Sequence, residues 1–356
     1  MPTSTQTAES ATVDELAQRL LGAALGFYDV MAIYLGVRLG WYDALVEHGP
    51  STDEELATRT STHPRYAREW LEQQAVTGLL TVDGDRFAIP PATAEVLTDP
   101  DSLSFMAPMA RGCAAASAQM PSLLEAYRTG GGVPWDQLGI DGREGQADSN
   151  RAWYLQVLAD KLRGVESVHG ALSRPGVRIA DVGCGGGWSS IALALAYPDA
   201  IVQGFDIDEP SIVMATRNAA ESGVADRVAF TATDASGLPD DSFDVAFAFE
   251  CVHDMPRPVD VLAAVRRSLA PDGFLVVMDE AVAEEFAPNG NELERYMYGA
   301  SLLGCLPGGM SSPPSVGTGT VMRPSTLKSY GEQAGFSQFE VLPIEDFGFY
   351  RFYLLS

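Results

Sequence analysis

Apolar residues recur every three or four positions through much of the first hundred residues, and this spacing predicts α-helices. One long apolar stretch covers residues 14–49. Ser51 or Thr52 then precedes acidic residues, an arrangement that favours the start of a helix. A further helix is predicted over residues 64–78, and the polar turn inside residues 79–89 predicts a β-hairpin. The pattern therefore predicts a mainly α-helical N-terminal domain that ends in a hairpin.

The pattern changes near residue 171, where short apolar runs begin to alternate with helical stretches. Strands that alternate with helices predict a parallel, doubly wound α/β sheet. The last two runs have only a short turn between them, so they must pair antiparallel at the end of that sheet. We assign residues 1–100 to the N-terminal domain, 101–170 to connecting helices and 171–356 to the α/β domain. The strands are predicted at residues 177–182, 201–206, 228–232, 243–249, 273–279, 336–342 and 347–354.

The net charge limits the partners of the chain. Its 356 residues carry 23 Lys and Arg against 48 Asp and Glu, for a net charge of −25. A field of this sign repels nucleic-acid backbones and anionic lipid headgroups, so we expect neither nucleic acid nor a membrane surface as a partner.

The four cysteines are far apart and form no CxxC pair, so we expect no zinc knuckle or disulfide framework and a cytoplasmic location. Residues 1–15 contain no basic residue and no apolar core, so we expect that they are not a signal peptide. Residues 20–37 are mostly apolar but contain Asp29, which at a bilayer centre costs about 2.5–3.5 kcal/mol. We predict that this stretch is a buried or dimer-forming helix in a homodimer.

A glycine run carries the clearest chemical signal. Gly183, Gly185 and Gly187 follow a predicted strand, where they allow a tight turn and close approach of a ligand. A dinucleotide fingerprint that starts at Gly183 requires a sixth-position glycine, and Trp188 stands there. A GxGxG run preceded by an acid, here Asp181, is instead the pattern for S-adenosylmethionine (SAM).

Carboxylates after the predicted strands suit the parts of this cofactor. Asp206 ends the second strand, where it can accept hydrogen bonds from both ribose hydroxyls. Asp234 follows the third strand and can accept from the adenine amino group. Asp181 and the carbonyl edge of the glycine loop suit the cationic end. The predicted cofactor-binding residues are Asp181, Gly183, Gly185, Gly187, Asp206, Ile207, Asp234, Ala235 and Glu250.

Together these features resemble the class I SAM-dependent methyltransferases over about residues 171–356. The resemblance implies a Rossmann-like, seven-stranded doubly wound sheet with an antiparallel terminal strand. The N-terminal segment is similar to the winged-helix domain of small-molecule methyltransferases, which implies dimerisation and a wall of the acceptor pocket. The segments that carry this second resemblance are Gly40–Leu45, Glu54–Ala57, Arg68–Leu71 and Gly78–Leu80. Gly131–Pro134 and His253–Met255 resemble a two-domain subgroup of these methyltransferases.

His253 follows the fourth strand, nine residues beyond Asp244, and the resemblance to winged-helix O-methyltransferases implies that it is the catalytic base. An imidazole accepts a proton near neutral pH. A packed, structural histidine at this position is the alternative, and both interpretations stay open. Glu250 lies three residues before His253, but the sequence offers no clear third ligand, so no metal is expected.

The expected function is methyl transfer to a small, largely apolar metabolite, with oxygen as the expected acceptor atom. His253 is the expected base if the acceptor atom is oxygen or nitrogen. Met106, Met109, Tyr298 and Leu302 are the candidate acceptor-binding residues. The alternatives are a SAM-sensing winged-helix regulator and a catalytically silent SAM-binding scaffold. The regulator requires a basic recognition helix, whereas residues 64–78 carry two arginines against two glutamates.

Overall fold

The computed structural model describes residues 11–234, 237–288 and 290–356. Its contacts divide the chain into two compact units. One unit contains the residues up to Asp99 together with Ser104–Cys113, and the other contains Pro100–Leu103 and Ala114–Ser356. Each unit is described separately, and the boundaries at residues 100 and 170 stay predictions.

The first unit has the element order of a winged helix. Thr52 caps its third helix: the Thr52 hydroxyl accepts from the Glu55 N–H while the Glu55 carboxylate accepts from the Thr52 N–H. The aromatic rings of Trp41 and Tyr42 pack against Trp70 in its core. The elements are α1 (Val13–Arg38), α2 (Trp41–His48), α3 (Asp53–Thr60), α4 (Pro64–Val76), β1 (Thr81–Asp83), β2 (Arg86–Ala88) and α5 (Pro91–Thr98).

Helix α1 is apolar but mostly exposed. It has 26 residues with a mean hydropathy of 1.7 in its most apolar window, and by length and composition alone it is able to cross a membrane. Gly36 is its one buried residue among those described. The expectation that this helix is buried is therefore wrong within a single chain, because only its last turns pack against the aromatic core. Its exposed side chains include Leu20, Leu21, Leu25, Phe27 and Tyr28.

The second unit is built on a seven-stranded sheet in the order β5-β4-β3-β6-β7-β9-β8. The first five of these strands are parallel, and β9 pairs antiparallel with both β7 and β8. The predicted α/β fold with an antiparallel terminal strand is confirmed. The strands are β3 (Arg178–Val182), β4 (Ile201–Asp206), β5 (Val228–Ala232), β6 (Phe243–Phe249), β7 (Leu269–Glu280), β8 (Phe339–Val341) and β9 (Tyr350–Leu355).

Helices cover both faces of this sheet, and the two apolar cores lie beneath them. The helices before the sheet are α6 (Ala107–Ala118), α7 (Met120–Thr129), α8 (Gly139–Ser149), α9 (Arg151–Trp153), α10 (Ala159–Arg163) and α11 (Glu166–Leu172). Those after β3 are α12 (Trp188–Ala196), α13 (Glu209–Glu221), α14 (Pro258–Ser268), α15 (Glu292–Ala300), α16 (Leu306–Met310) and α17 (Pro324–Gln333). Short 3-10 turns cover Trp135–Leu138 and Val252–Asp254, and π-helical turns cover Tyr154–Leu158 and Ser301–Cys305.

Strand β3 is the point at which the chain order of the sheet reverses. Its neighbours are β4 on one side and β6 on the other. In open α/β sheets, ligands bind beyond the carboxyl ends of the strands that flank such a point. The candidate site is therefore the loops that follow β3, β4, β6 and β7.

Gly36 provides a direct test of the packing in the first unit. A Cβ at this position lies 2.5 Å from the rings of Trp70 and Tyr42, whereas one at Gly26 in the same helix meets nothing within 4 Å. We expect Gly36→Ala to lower the free energy of unfolding by about 1–3 kcal/mol through overpacking. Gly26→Ala, the matched control, should raise it by up to about 1 kcal/mol through helix propensity. Denaturant unfolding measures both; equal effects contradict the described packing.

Candidate active site

The glycine loop connects β3 to α12. Gly183 and Gly187 have φ angles of +71° and +80°, and a Cβ on either lies within 3 Å of a neighbouring side chain. Gly185 differs: its φ is +47°, but a Cβ there meets nothing within 4 Å. The loop is therefore packed against the protein at both ends and faces open space at its centre.

Asp206, at the carboxyl end of β4, is held by two backbone donors. Its Oδ2 accepts from the Gly185 N–H at 2.9 Å and its Oδ1 from the Asp208 N–H at 2.9 Å. Each carboxylate oxygen keeps a second lone pair for another donor. Burial raises the pKa of Asp206, while these N–H groups act against that rise. The side chain is thus fixed with acceptor capacity left over.

Asp181, near the end of β3, has one unsatisfied oxygen. The hydroxyls of Ser189 and Ser190 each donate to its Oδ2 at 2.6 Å. Its Oδ1 is buried and has no hydrogen-bond partner. Burial raises the pKa of Asp181 to about 6, even though both serines lower it. An unpartnered buried carboxylate oxygen at this position suits a cationic ligand.

Glu250 follows β6 in a left-handed backbone conformation, with φ +50°. Such a conformation costs a residue other than glycine about 1–3 kcal/mol and persists where the surroundings enforce it. The Asn150 amide donates to its carboxylate, and the Tyr350 hydroxyl donates to the Asn150 Oδ1 at 3.1 Å. The next residue, Cys251, packs against Gly183, so Glu250 lies beside the glycine loop.

His253 lies buried in the 3-10 turn that follows, among carboxylates. Its Nδ1 is 3.1 Å from both oxygens of Asp279 and 3.4 Å from the Glu280 Oε2, while its Nε2 is 3.5 Å from the Asp254 Oδ1. Burial lowers the pKa of His253, but the charges of Glu280, Asp279 and Asp254 outweigh it and raise the pKa well above the usual value. His253 is thus a buried, oriented imidazole with a strong affinity for protons.

Asp279 and Glu280 were not among the predicted site residues. They lie at the carboxyl end of β7. Ligands of open α/β sheets bind beyond the carboxyl ends of the strands, and this rule, which predicted Asp206 at the end of β4, applies to both residues. With His253 they bring three possible metal-ligating atoms within 4.8 Å of one another. The expectation that a third candidate metal ligand is missing is therefore wrong. We assign the cluster to ion pairing with the imidazole, and the absence of a metal stays a prediction.

The segment from α8 to α9 packs over the glycine loop. Arg143 makes two hydrogen bonds to Asp208, at 2.7 and 3.0 Å. A Cβ on Gly186 lies 2.7 Å from the Ala147 side chain, so helix and loop are in close contact. Arg151 lies 4.8 Å above the Trp188 ring. Sequence reasoning missed these residues because they lie 37 to 65 positions from their partners.

The remaining predicted cofactor-binding residues are either exposed or outside the described residues. Ile207 is 76% exposed. Asp234 is exposed just beyond β5, and Ala235 lies outside the described residues. Their roles in cofactor binding stay predictions.

The four predicted acceptor-binding residues lie in different units. Met106 and Met109 help to line an apolar cavity of about 320 Å³ in the first unit. Tyr298 accepts a hydrogen bond from Arg323 at 3.3 Å, and the Leu302 carbonyl accepts one from the Tyr127 hydroxyl at 2.9 Å, both in the second unit. Their contact with an acceptor stays a prediction.

Comparison with known proteins decides the family. A methyltransferase domain model matches residues 173–325, and an Rv2258c-like winged HTH domain model matches residues 28–99. The ubiquinone biosynthesis O-methyltransferase of Pseudomonas syringae pv. tomato is 30% identical over 171 residues, which cover 47% of this chain and 67% of that protein. The chain belongs to the SAM-dependent methyltransferases.

Other relatives match the methyltransferase over shorter stretches. The 27-O-demethylrifamycin SV methyltransferase of Amycolatopsis mediterranei is 39% identical over 124 residues, 34% of this chain and 43% of that protein. The chain spans about two fifths of the length of the first curated relatives it matches. The mitomycin 7-O-methyltransferase MmcR shares the fold, with a TM-score of 0.72 at 23% identity over 96% of this chain and 98% of that one.

The methyltransferase has a site that fits SAM. The open space at Gly185 leaves room for a ligand against the loop backbone. The unpartnered Asp181 Oδ1 suits the cationic end, and the remaining lone pairs of Asp206 suit two ribose hydroxyls. These acceptors match the donors of SAM, which is the cofactor of this family.

Gly185 allows this fit to be tested. We expect Gly185→Ala to fold with a melting temperature a few degrees below that of the wild type, because its Cβ meets no protein atom within 4 Å and only the φ angle of +47° strains the alanine. The same methyl group occupies the space for the cofactor, so affinity for S-adenosylhomocysteine (SAH) should fall at least about tenfold, or 1.4 kcal/mol. Gly183→Ala is the contrasting variant, because its Cβ lies 2.6 Å from the Cys251 side chain and should lower the melting temperature. Undiminished SAH binding by Gly185→Ala contradicts the site.

Proposed function

We propose that this chain transfers a methyl group from SAM to an oxygen atom of a small, largely apolar metabolite. The observation that carries the proposal is the oriented His253 at the same sheet edge as the glycine loop. Relatives named as O-methyltransferases support oxygen as the acceptor atom.

When bound, SAM supplies an electrophilic methyl group on a sulfonium sulfur. The protein then has to position an acceptor hydroxyl and remove its proton. Asp279 and Glu280 face the Nδ1 of His253, so Nε2, which lies 3.5 Å from the Asp254 Oδ1, is the nitrogen that would accept the proton. Asp279 acts as a positioning residue, because its two oxygens fix the ring and stabilise the imidazolium that forms.

The pH dependence of the rate tests the base. Only neutral His253 accepts a proton, and its pKa is raised above the usual 6.5, so the rate should rise with pH through a midpoint above 6.5. His253→Gln should lower kcat about 10²–10⁴-fold with little change in SAH affinity. Asp279→Asn removes a charge that raises the His253 pKa, so it should move the midpoint to lower pH.

Two outcomes contradict this assignment. A rate that is flat from about pH 5 to 9, together with an unimpaired His253→Gln, means that positioning alone drives transfer. A His253→Gln variant that fails to fold means that the histidine is the packed structural residue. Thermal melts of each variant accompany the kinetics.

We also propose a homodimer formed through α1 and a cytoplasmic location. Clustered exposed apolar side chains on one helix mark an interface, since monomers rarely expose large apolar patches. The four free cysteines suit a reducing compartment. A DNA-binding role is less well supported, because Arg65 and Arg68 on α4 pair with Glu69 and Glu72.

Light scattering tests the dimer. The wild type should have about twice the chain mass of 38.0 kDa. The double variant Leu21→Lys with Leu25→Lys places charges on two side chains that are 54% and 55% exposed, so the dimer should dissociate. Val76→Lys, at an 88% exposed apolar position outside α1, is the control and should leave the mass unchanged. A wild-type mass near 38.0 kDa contradicts the dimer.

A further inference from the structure

Glu250 lies beside the glycine loop and, among the described residues, forms no ion pair with a lysine or arginine. We propose that it recognises the positive charge of the methyl-loaded cofactor. The sulfonium form then binds by displacing a proton from Glu250, whereas the neutral thioether product binds without displacing that proton. The site then holds substrate cofactor in preference to product. This inference rests on the proposed function, and it assigns the selectivity of that same site.

The register of the sheet places Glu250 at the glycine loop. Strand β6 pairs in parallel with β3, with Ala248 opposite Val182, so Glu250 lies level with the start of the loop. The Glu250 N–H still donates to the Met278 carbonyl at 2.8 Å, which fixes the residue to β7 while its backbone turns. The residue as a whole is half-buried. A ligand in the loop is therefore within reach of this carboxylate.

The hydrogen-bonding partners of Glu250 are neutral. The Asn150 amide donates to it, and the Tyr350 hydroxyl also interacts with it. Tyr154 lies close enough for the Glu250 charge to affect its ionisation. Among the described residues, no Lys or Arg forms an ion pair with Glu250. The hydrogen bonds to this charge thus come from neutral dipoles.

The charged groups that face Glu250 are mostly acidic. Asp254, Asp279 and Glu280 repel a negative charge at Glu250. His253 is the one nearby cation among the described residues, and its Nδ1 is already engaged by Asp279 and Glu280. The cluster carries more negative charge than its imidazole offsets, so a cation that enters the pocket is favoured.

Burial, which outweighs the Tyr350 hydrogen bond and the His253 charge, raises the pKa of Glu250 to about 7. About half of the molecules therefore hold a proton on Glu250 at neutral pH. A cation displaces that proton because it stabilises the carboxylate, whereas a neutral sulfur gives no such gain. SAM and SAH share the ammonium and the carboxylate and differ by the one sulfonium charge, so the two ligands isolate this effect.

Calorimetry on the full-length protein tests the inference, with SAM, SAH and sinefungin as ligands. Sinefungin carries an amine at the position of the sulfonium and should behave as SAM does. If SAM binds only the ionised form, the ratio of the SAH Kd to the SAM Kd should rise about tenfold between pH 6 and pH 8. Titration in buffers of different ionisation enthalpy should show about half a proton more released at pH 7 for SAM than for SAH.

Glu250→Gln keeps an oxygen that accepts from Asn150 but removes the charge. Its affinity ratio should be lower and independent of pH, while its SAH affinity stays near that of the wild type and shows that it is folded. Glu221→Gln, at an exposed carboxylate of α13, is the matched control and should follow the wild type.

Three results overturn the inference. If SAM and SAH bind the wild type with the same pH dependence, the inference is wrong even if Glu250→Gln fails to fold. The inference is also wrong if the ratio of the SAH Kd to the SAM Kd still depends on pH in Glu250→Gln. In both cases SAH still binds and the proposed function stands. Failure of all three ligands to bind overturns the proposed function as well.

Discussion

Three consecutive backbone N–H groups of the glycine loop donate to the end of the neighbouring strand. Those of Gly183 and Cys184 reach the Phe205 carbonyl at 2.8 and 3.1 Å, and that of Gly185 reaches the Asp206 carboxylate. These bonds fix the loop to β4 and orient the carboxylate in one step. A side chain at Gly183 prevents the approach, because it overlaps Cys251. The proposed cofactor site, with Asp206 as its ribose acceptor and open space at Gly185, depends on this arrangement.

The second constraint is electrostatic. Asp181, Glu250 and Glu280 are acids whose pKa is raised chiefly by burial, so each destabilises the protein when it is charged without a partner. Without a ligand, these buried carboxylates do not stabilise the fold. A cationic cofactor would give such acids a partner, and Glu280, together with Asp279 and Asp254, also raises the pKa of His253. The charge distribution of the site is therefore complementary to the ligand that the loop is shaped to hold.

The sequence predicts most of the sheet and about half of the site. The bounds of β4, β5 and β6 agree with prediction because a polar residue, Asp206, Thr233 or Glu250, stands at or directly after the end of each apolar run. The tail strands are shorter than predicted. Phe336 and Phe347 are buried but lie outside the paired strands, and an apolar pattern indicates that residues are buried without showing whether they belong to a strand. Asn150 reaches Glu250 across 100 positions, a contact with no local signal.

We propose that Asp206 and the loop it supports form the SAM site. A crystal structure of the protein with bound SAH is the decisive measurement. We expect both ribose hydroxyls within about 3 Å of the Asp206 carboxylate, which keeps its hydrogen bonds from Gly185 and Asp208. Clear density for SAH elsewhere, with Asp206 contacting only those backbone donors, contradicts the claim.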